Sequence, residues 1–209
     1  MIKKVLKPFV PKIVLTKRKL KLQKKQLLEW HYSGCENPPP NSVKQITIAY
    51  YQKKYSIPTL IETGTYFGDM VEAQKNRFSK IVTIELSEKL FDDAKKRFSK
   101  DKNITVVQGD SGKILYEVLN DIKAPAIFWL DGHFSGGITA KGDKDCPIFE
   151  EINAIFTTSN YTHILLIDDA RLFVGKGGYP TIEELTEYIK TKNVKYKEEV
   201  KNDIIRYSI

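Results

Sequence analysis

From residue 59 onward the chain alternates between two periods. Short apolar runs at Thr59–Glu62, Ile81–Glu85, Ile104–Gln108, Ala126–Asp131 and His163–Asp168 are separated by helix-like stretches at 68–79, 88–99, 111–121 and 147–157. The runs are continuous rather than alternating, as expected of strands covered on both faces. Strand–helix alternation specifies right-handed crossovers and a parallel sheet. Thr181 and Glu184 have capping-box spacing. The chain then ends in "VKYKEEV" and "DIIRYSI" around Lys201-Asn202, a hairpin signal. The expected fold is α/β: a doubly wound, mostly parallel seven-stranded sheet with a C-terminal antiparallel hairpin and helices on both faces.

Upstream the character changes. "SVKQITIAYYQKKYSI" carries apolar residues at Val43, Ile46, Ile48, Ala49 and Tyr50, the spacing of a helix packed on the domain edge. Residues 31–42 read as a linker, because Pro38–Pro40 cannot be helical. The expected division is a basic arm and linker at 1–42 and one domain at 43–209. Residues 1–28 hold ten Lys/Arg and no acid. Removing them from the total of 34 Lys/Arg and 26 Asp/Glu leaves 24 against 26, so the body carries −2. A nucleic-acid substrate is therefore not implied by charge. Pro8 and Pro11 interrupt any early helix, and a basic helix is open from Thr16. The arm has two readings: peripheral docking on anionic lipid, at ~1 kcal/mol per basic residue, or a solvated arm.

No apolar run approaches the ~20 residues of a membrane span, and the start lacks the pattern of a cleaved leader. Cys35 and Cys146 form no CxxC and no metal-type spacing. A reducing, cytoplasmic setting is the expectation, with the inner membrane face as the arm's docking alternative. Oligomeric state is not legible.

Ligands of open parallel sheets bind beyond the carboxyl ends of the strands, at the switch point of strand order. Each expected strand is followed there by an acid: Glu62, Glu85, Asp110, Asp131 and the pair Asp168-Asp169. A single such acid reads as a helix cap; five in series point to a ligand. In "IETGTYFGD", Gly64 and Gly68 permit a tight turn and close ligand approach. The spacing is G-x-x-x-G rather than the G-x-G-x-x-G of dinucleotide sites. Asp69 beside the helix start would repel a pyrophosphate. Glu85, 21 residues after Gly64, is placed to bind ribose hydroxyls. Ribose in an acid-lined pocket without pyrophosphate suits a cationic nucleoside such as S-adenosylmethionine.

The ordered set "ETGTYFG", "VTIELSE", "VVQGDS", "FWLDGH" and "LLIDDAR" resembles the class I S-adenosylmethionine-dependent methyltransferases, over roughly residues 43–209. Tyr66 replaces the middle glycine of that family's first motif. The resemblance implies a Rossmann-like sheet and a methyl-transfer activity. It places Glu62, Gly64, Thr65 and Gly68 along the methionine part of the cofactor, Glu85 at the ribose, Asp110 and Ser111 by the adenine, and Asp131 at the cofactor's edge. The acids after the fourth and fifth strands are similar to those of metal-dependent O-methyltransferases of the catechol and macrocin types. That likeness implies Mg²⁺ held by Asp131, Asp168 and Asp169, with a hydroxyl of a sugar, glycan or other small polar molecule as acceptor. Oxygen-only ligands suit Mg²⁺, which would acidify the hydroxyl. The bland alternative is that Asp169 caps a turn and no metal binds.

Transfer to a hydroxyl also releases one proton. The candidate catalytic residues are Asp131 and His133, with His133, two residues further on, as the base and Lys141 and Lys144 as weaker candidates; a structural histidine is the alternative. His31 and His163 read as linker and strand-start residues, and Trp129 as core. The glycine-rich loop 132–146 and the segment 171–180 are candidate substrate covers. Two other classes stay open: a nicotinamide-dependent oxidoreductase on a similar sheet, disfavoured by the glycine spacing and Asp69, and a non-catalytic binding module whose arm docks a partner.

Overall fold

The computed structural model describes residues 12–132 and 146–209; for 12–17 and 19 only the helical backbone is described. The apolar runs form strands where expected: β1 (Thr59–Thr63), β2 (Lys80–Glu85), β3 (Ile104–Gln108), β4 (Ala126–Leu130) and β5 (Ile164–Ile167). The hairpin follows as β6 (Lys197–Lys201) and β7 (Ile204–Ser208). The seven strands lie in the order β3-β2-β1-β4-β5-β7-β6, the first five parallel and β7 antiparallel to both its neighbours. Strand order reverses between β1 and β4, so the switch-point crevice opens at their tips. β1, β4 and β5 are buried throughout, whereas β3 at one edge is only partly covered and β6 at the other is exposed. An edge strand has one unpaired side and less cover, so the continuous-run reading holds for the interior strands and not for β3.

Among the described residues the α-helices around this sheet are α1 (Lys12–Tyr32), α2 (Asn41–Tyr55), α3 (Asp69–Gln74), α4 (Glu88–Arg97), α5 (Ser111–Asn120), α6 (Ile148–Thr158) and α7 (Ile182–Lys192). On one face Leu115, Leu119, Ile152, Ile155, Leu185 and Ile189 cover Phe128 and Ile167. On the other Ile48, Tyr51, Val71, Ala94 and Phe98 cover Leu60, Ile81 and Trp129. The capping box at Thr181 and Glu184 is formed.

The helix expected over 68–79 stops at Gln74. Asn103 Nδ2 donates to the carbonyls of Lys75 and Phe78, 2.9 Å each, and satisfies acceptors that the shortened helix leaves open. The released chain buries Phe78 in the core. The basic stretch is helical from Lys12, four residues before Thr16, and touches α2 through Gln23 Nε2 to Gln45 Oε1 at 3.4 Å.

Candidate active site

The turn after β1 is folded over the tip of β2. Gly64 N and Thr65 N both donate to the Ile84 carbonyl, at 3.0 and 3.2 Å. Gly64 has φ +84°, and a Cβ there would stand 2.3 Å from the Asp131 carbonyl oxygen. The turn is thus pressed against β4, and a side chain is excluded. Tyr66, at the place of the motif's middle glycine, also has positive φ, +49°. Its N–H donates to Glu85 Oε2 at 2.8 Å, and Ser87 N–H to Glu85 Oε1 at 2.9 Å. The half-exposed rings of Tyr66 and Phe67 lie 4.0 Å apart.

Glu62, fully enclosed beneath this turn, accepts from Thr83 Oγ1 at 2.5 Å, and the Thr83 and Thr65 hydroxyls bond each other at 2.6 Å. Burial pushes the Glu62 carboxyl up to about 8, against the Thr83 hydrogen bond. Asp110 caps α5 through Gly112 N–H, 3.0 Å from its Oδ1, beside the buried Ser111. So the capping role raised for single acids is met at Asp110. Asp69 is paired with Arg97 at 3.1 Å. That pairing offsets the repulsion expected of Asp69 toward a phosphate, and the electrostatic argument against a dinucleotide is weaker than the sequence implied.

Across the crevice the acids are held differently. Asp131 N–H donates to the carbonyl and the hydroxyl of Thr63, 3.2 Å each, and Asp168 N–H to the Leu130 carbonyl at 3.1 Å. Lys44, from α2, donates to Asp168 Oδ2 and lies 3.4 Å from Asp169 Oδ1. The charge of Asp131 also acts on it. Asp169, with φ +56°, pairs with Arg171 at 2.8 Å, and Arg171 pairs in turn with the buried Asp203. Burial raises the Asp131 carboxyl well above the usual carboxylate range, and neighbouring Asp168 adds to it. Burial also raises Asp168, opposed by Lys44. For Lys44 burial works against the charge, but Asp168, Asp169 and Asp131 outweigh it and the ammonium is held more firmly than usual.

The structure therefore brings Asp168 and Asp169 onto one ammonium, with the charge of Asp131 acting on it, and Glu62, Gly64, Thr65 and Glu85 around one turn. Gly68 ends that turn, where a Cβ would stand 2.7 Å from the Phe98 ring. His133, Lys141 and Lys144 lie outside the described residues. His163 is a core residue: its Nδ1 accepts from Ala126 N–H at 3.0 Å, its Nε2 lies 2.8 Å from Ser159 Oγ, and burial lowers it to about 4. Trp129 is core as well. Among the described residues, no group of three His, Cys, Asp or Glu side chains is arranged to hold a metal ion. Lys44 and Arg171 were not foreseen. Lys44 stands 124 residues before Asp168 in a helix read only for its apolar face, and no local signal connects the two.

No protein-family model matches the chain, and no curated protein matches it either. Solved structures do. A putative caffeoyl-CoA O-methyltransferase from Staphylococcus aureus superposes with a TM-score of 0.57 at 13% identity, over 94% of this chain and 100% of that one. The SAH-bound methyltransferase PaMTH1 of Podospora anserina gives 0.55 at 14%, over 97% and 99%. The O-methyltransferase TomG of Streptomyces achromogenes, solved in complex with SAM, gives 0.55 at 12%, over 88% and 87%. At such identities the likeness is one of fold: the chain has the Rossmann-like sheet with terminal hairpin found in these methyltransferases.

Proposed function

We propose that the chain is an S-adenosylmethionine-dependent O-methyltransferase acting on a hydroxyl of a sugar, glycan or other small polar molecule. The observation that carries this reading is the single unit formed by the glycine turn and Glu85 through Tyr66 N–H, at the switch point between β1 and β4. An acid locked against that turn suits a ribose, and Glu62, Gly64, Thr65 and Gly68 would line the methionine part. Asp110 and Ser111 would lie by the adenine, and Asp131 faces the turn from β4. The bound cofactor supplies a methyl group on a sulfonium, whose transfer to oxygen leaves a neutral thioether and requires the hydroxyl to lose one proton.

Two groups are proposed to take that proton. His133 is proposed from its position in the sequence, two residues past Asp131. Asp168 is proposed from its place directly after β5, beside Asp169. Mg²⁺, implied by the family resemblance, matches the oxygen-only donors but not their arrangement. Lys44 is seated on Asp168, and Arg171 holds Asp169. No step is assigned to the metal.

The test is release of S-adenosylhomocysteine in the presence of hydroxyl compounds, sugars first. Turnover should fall by about a hundredfold or more in whichever of Asp168→Asn and His133→Ala removes the base. Full turnover in both variants would overturn the assignment of the proton acceptor. Failure of any hydroxyl compound to accept a methyl group would overturn the acceptor class.

For the arm at 1–42, we propose peripheral contact with anionic lipid through residues 1–28. Supporting this, α1 exposes Arg18, Lys21, Lys24 and Lys25 together with Leu20, Leu22 and Leu28. No helix among the described residues is long and apolar enough to cross a membrane. Co-sedimentation with phosphatidylglycerol vesicles, lost on deleting 1–28, is the expected result; equal binding by the deleted chain would contradict it.

A further inference from the structure

We propose that Lys44 is a resident cation of the site, and that its seat on Asp168 and Asp169 keeps a divalent metal off them. Asp168 is 1% exposed, and a carboxylate so enclosed needs a counter-charge. Its neighbours Asp131 and Asp169 add like charge rather than relieve it. Lys44 meets this demand directly: Nζ donates to Asp168 Oδ2, lies 3.4 Å from Asp169 Oδ1 and feels the field of Asp131. An ammonium has three donors and behaves as a compact point charge, which suits a position between two carboxylates.

The cation is delivered by a rigid element. Val43 and Ile48 of α2 are buried beside it, and Thr47 Oγ1 bonds the Val43 carbonyl at 3.0 Å. Asp168 Oδ1 remains without a hydrogen-bond partner among the described residues. Lys44 thus fixes one oxygen of a carboxylate whose other oxygen is buried and unmatched among the described residues.

The experiment uses the full chain with Mn²⁺ as probe, followed by the loss of its free-ion paramagnetic resonance signal, in wild type, Lys44→Met and Lys44→Arg. Wild type and Lys44→Arg should leave Mn²⁺ free. Lys44→Met should take up one ion with affinity higher by about tenfold or more, and Mg²⁺ should raise its melting midpoint but not that of wild type. Tight Mn²⁺ uptake by wild type would overturn the proposal, and so would equal affinities in wild type and Lys44→Met. If Lys44→Met fails to fold, Lys44→Gln, which also lacks the ammonium, takes its place in the comparison. S-adenosylmethionine binding, measured on the same samples, reports separately on the methyltransferase reading.

Discussion

Glu85 and Asp168 both sit at strand tips and are almost equally enclosed, at 5% and 1% exposure. Glu85 is satisfied by backbone: its two oxygens take the N–H groups of Tyr66 and Ser87. Asp168 has one oxygen met, by a side chain brought from α2. The side proposed for the cofactor is therefore built by its own turns and strand tips. The side proposed for the acceptor needs Lys44 of α2 to complete it. Charge-assisted bonds to backbone contribute about 1.5–3 kcal/mol each. A buried ion pair adds little net stability but is costly to break. The two sides should answer mutation differently.

The largest effect is expected on the acceptor side. Lys44→Ala leaves Asp168 enclosed without its cation and should lower unfolding stability by about 3–5 kcal/mol in denaturant titration. Asp168→Asn made in the Lys44→Ala background should recover part of that loss, since the uncompensated charge is gone. No recovery would break the comparison. On the cofactor side the sharpest test is Gly64→Ala, whose methyl would meet the Asp131 carbonyl oxygen at 2.3 Å. Positive φ and that clash should cost about 2–3 kcal/mol and abolish S-adenosylmethionine binding.

Glu62 gives a pH signature. Its carboxyl stays neutral in the folded chain up to about 8 but ionises near 4.5 when exposed. Between those values the folded state holds the extra proton, so stability falls as pH rises toward 8. The part above 6.5 is free of His163, whose folded value is lowered to about 4 from 6.5 and whose contribution is lost only as pH falls through that window. Thermal midpoints between pH 6.5 and 8 should drop in wild type and drop less in Glu62→Gln, the remainder belonging to Asp131 and Asp168, whose carboxyls burial also raises. The smallest effect is expected for Asp110→Ala, which removes one helix cap and should cost about 1 kcal/mol.

The same contrast explains what could be read from the sequence. Apolar runs with acids at their ends placed β1, β2, β4 and β5, because interior parallel strands carry their burial in consecutive residues. The terminal hairpin and the Thr181 cap were legible for the same local reason. Gly64 and Glu85 were found because turn and strand tip are coded within a few residues. Lys44 was not, because its partner is fixed by how α2 docks and not by any neighbour in the chain. The end of α3 was misplaced because Asn103, a residue of the distant β3 approach, supplies the hydrogen bonds that end it. Asp69 looked like a bare acid because Arg97 lies 28 residues away.

The most direct measurement is calorimetric titration of the full chain with S-adenosylmethionine, with NAD as control, in Mg²⁺ and then in chelator. The account predicts micromolar binding of S-adenosylmethionine alone, unchanged by chelator and weakened about tenfold or more in Glu85→Ala. Binding of NAD in its place, or no binding of either ligand, would contradict it.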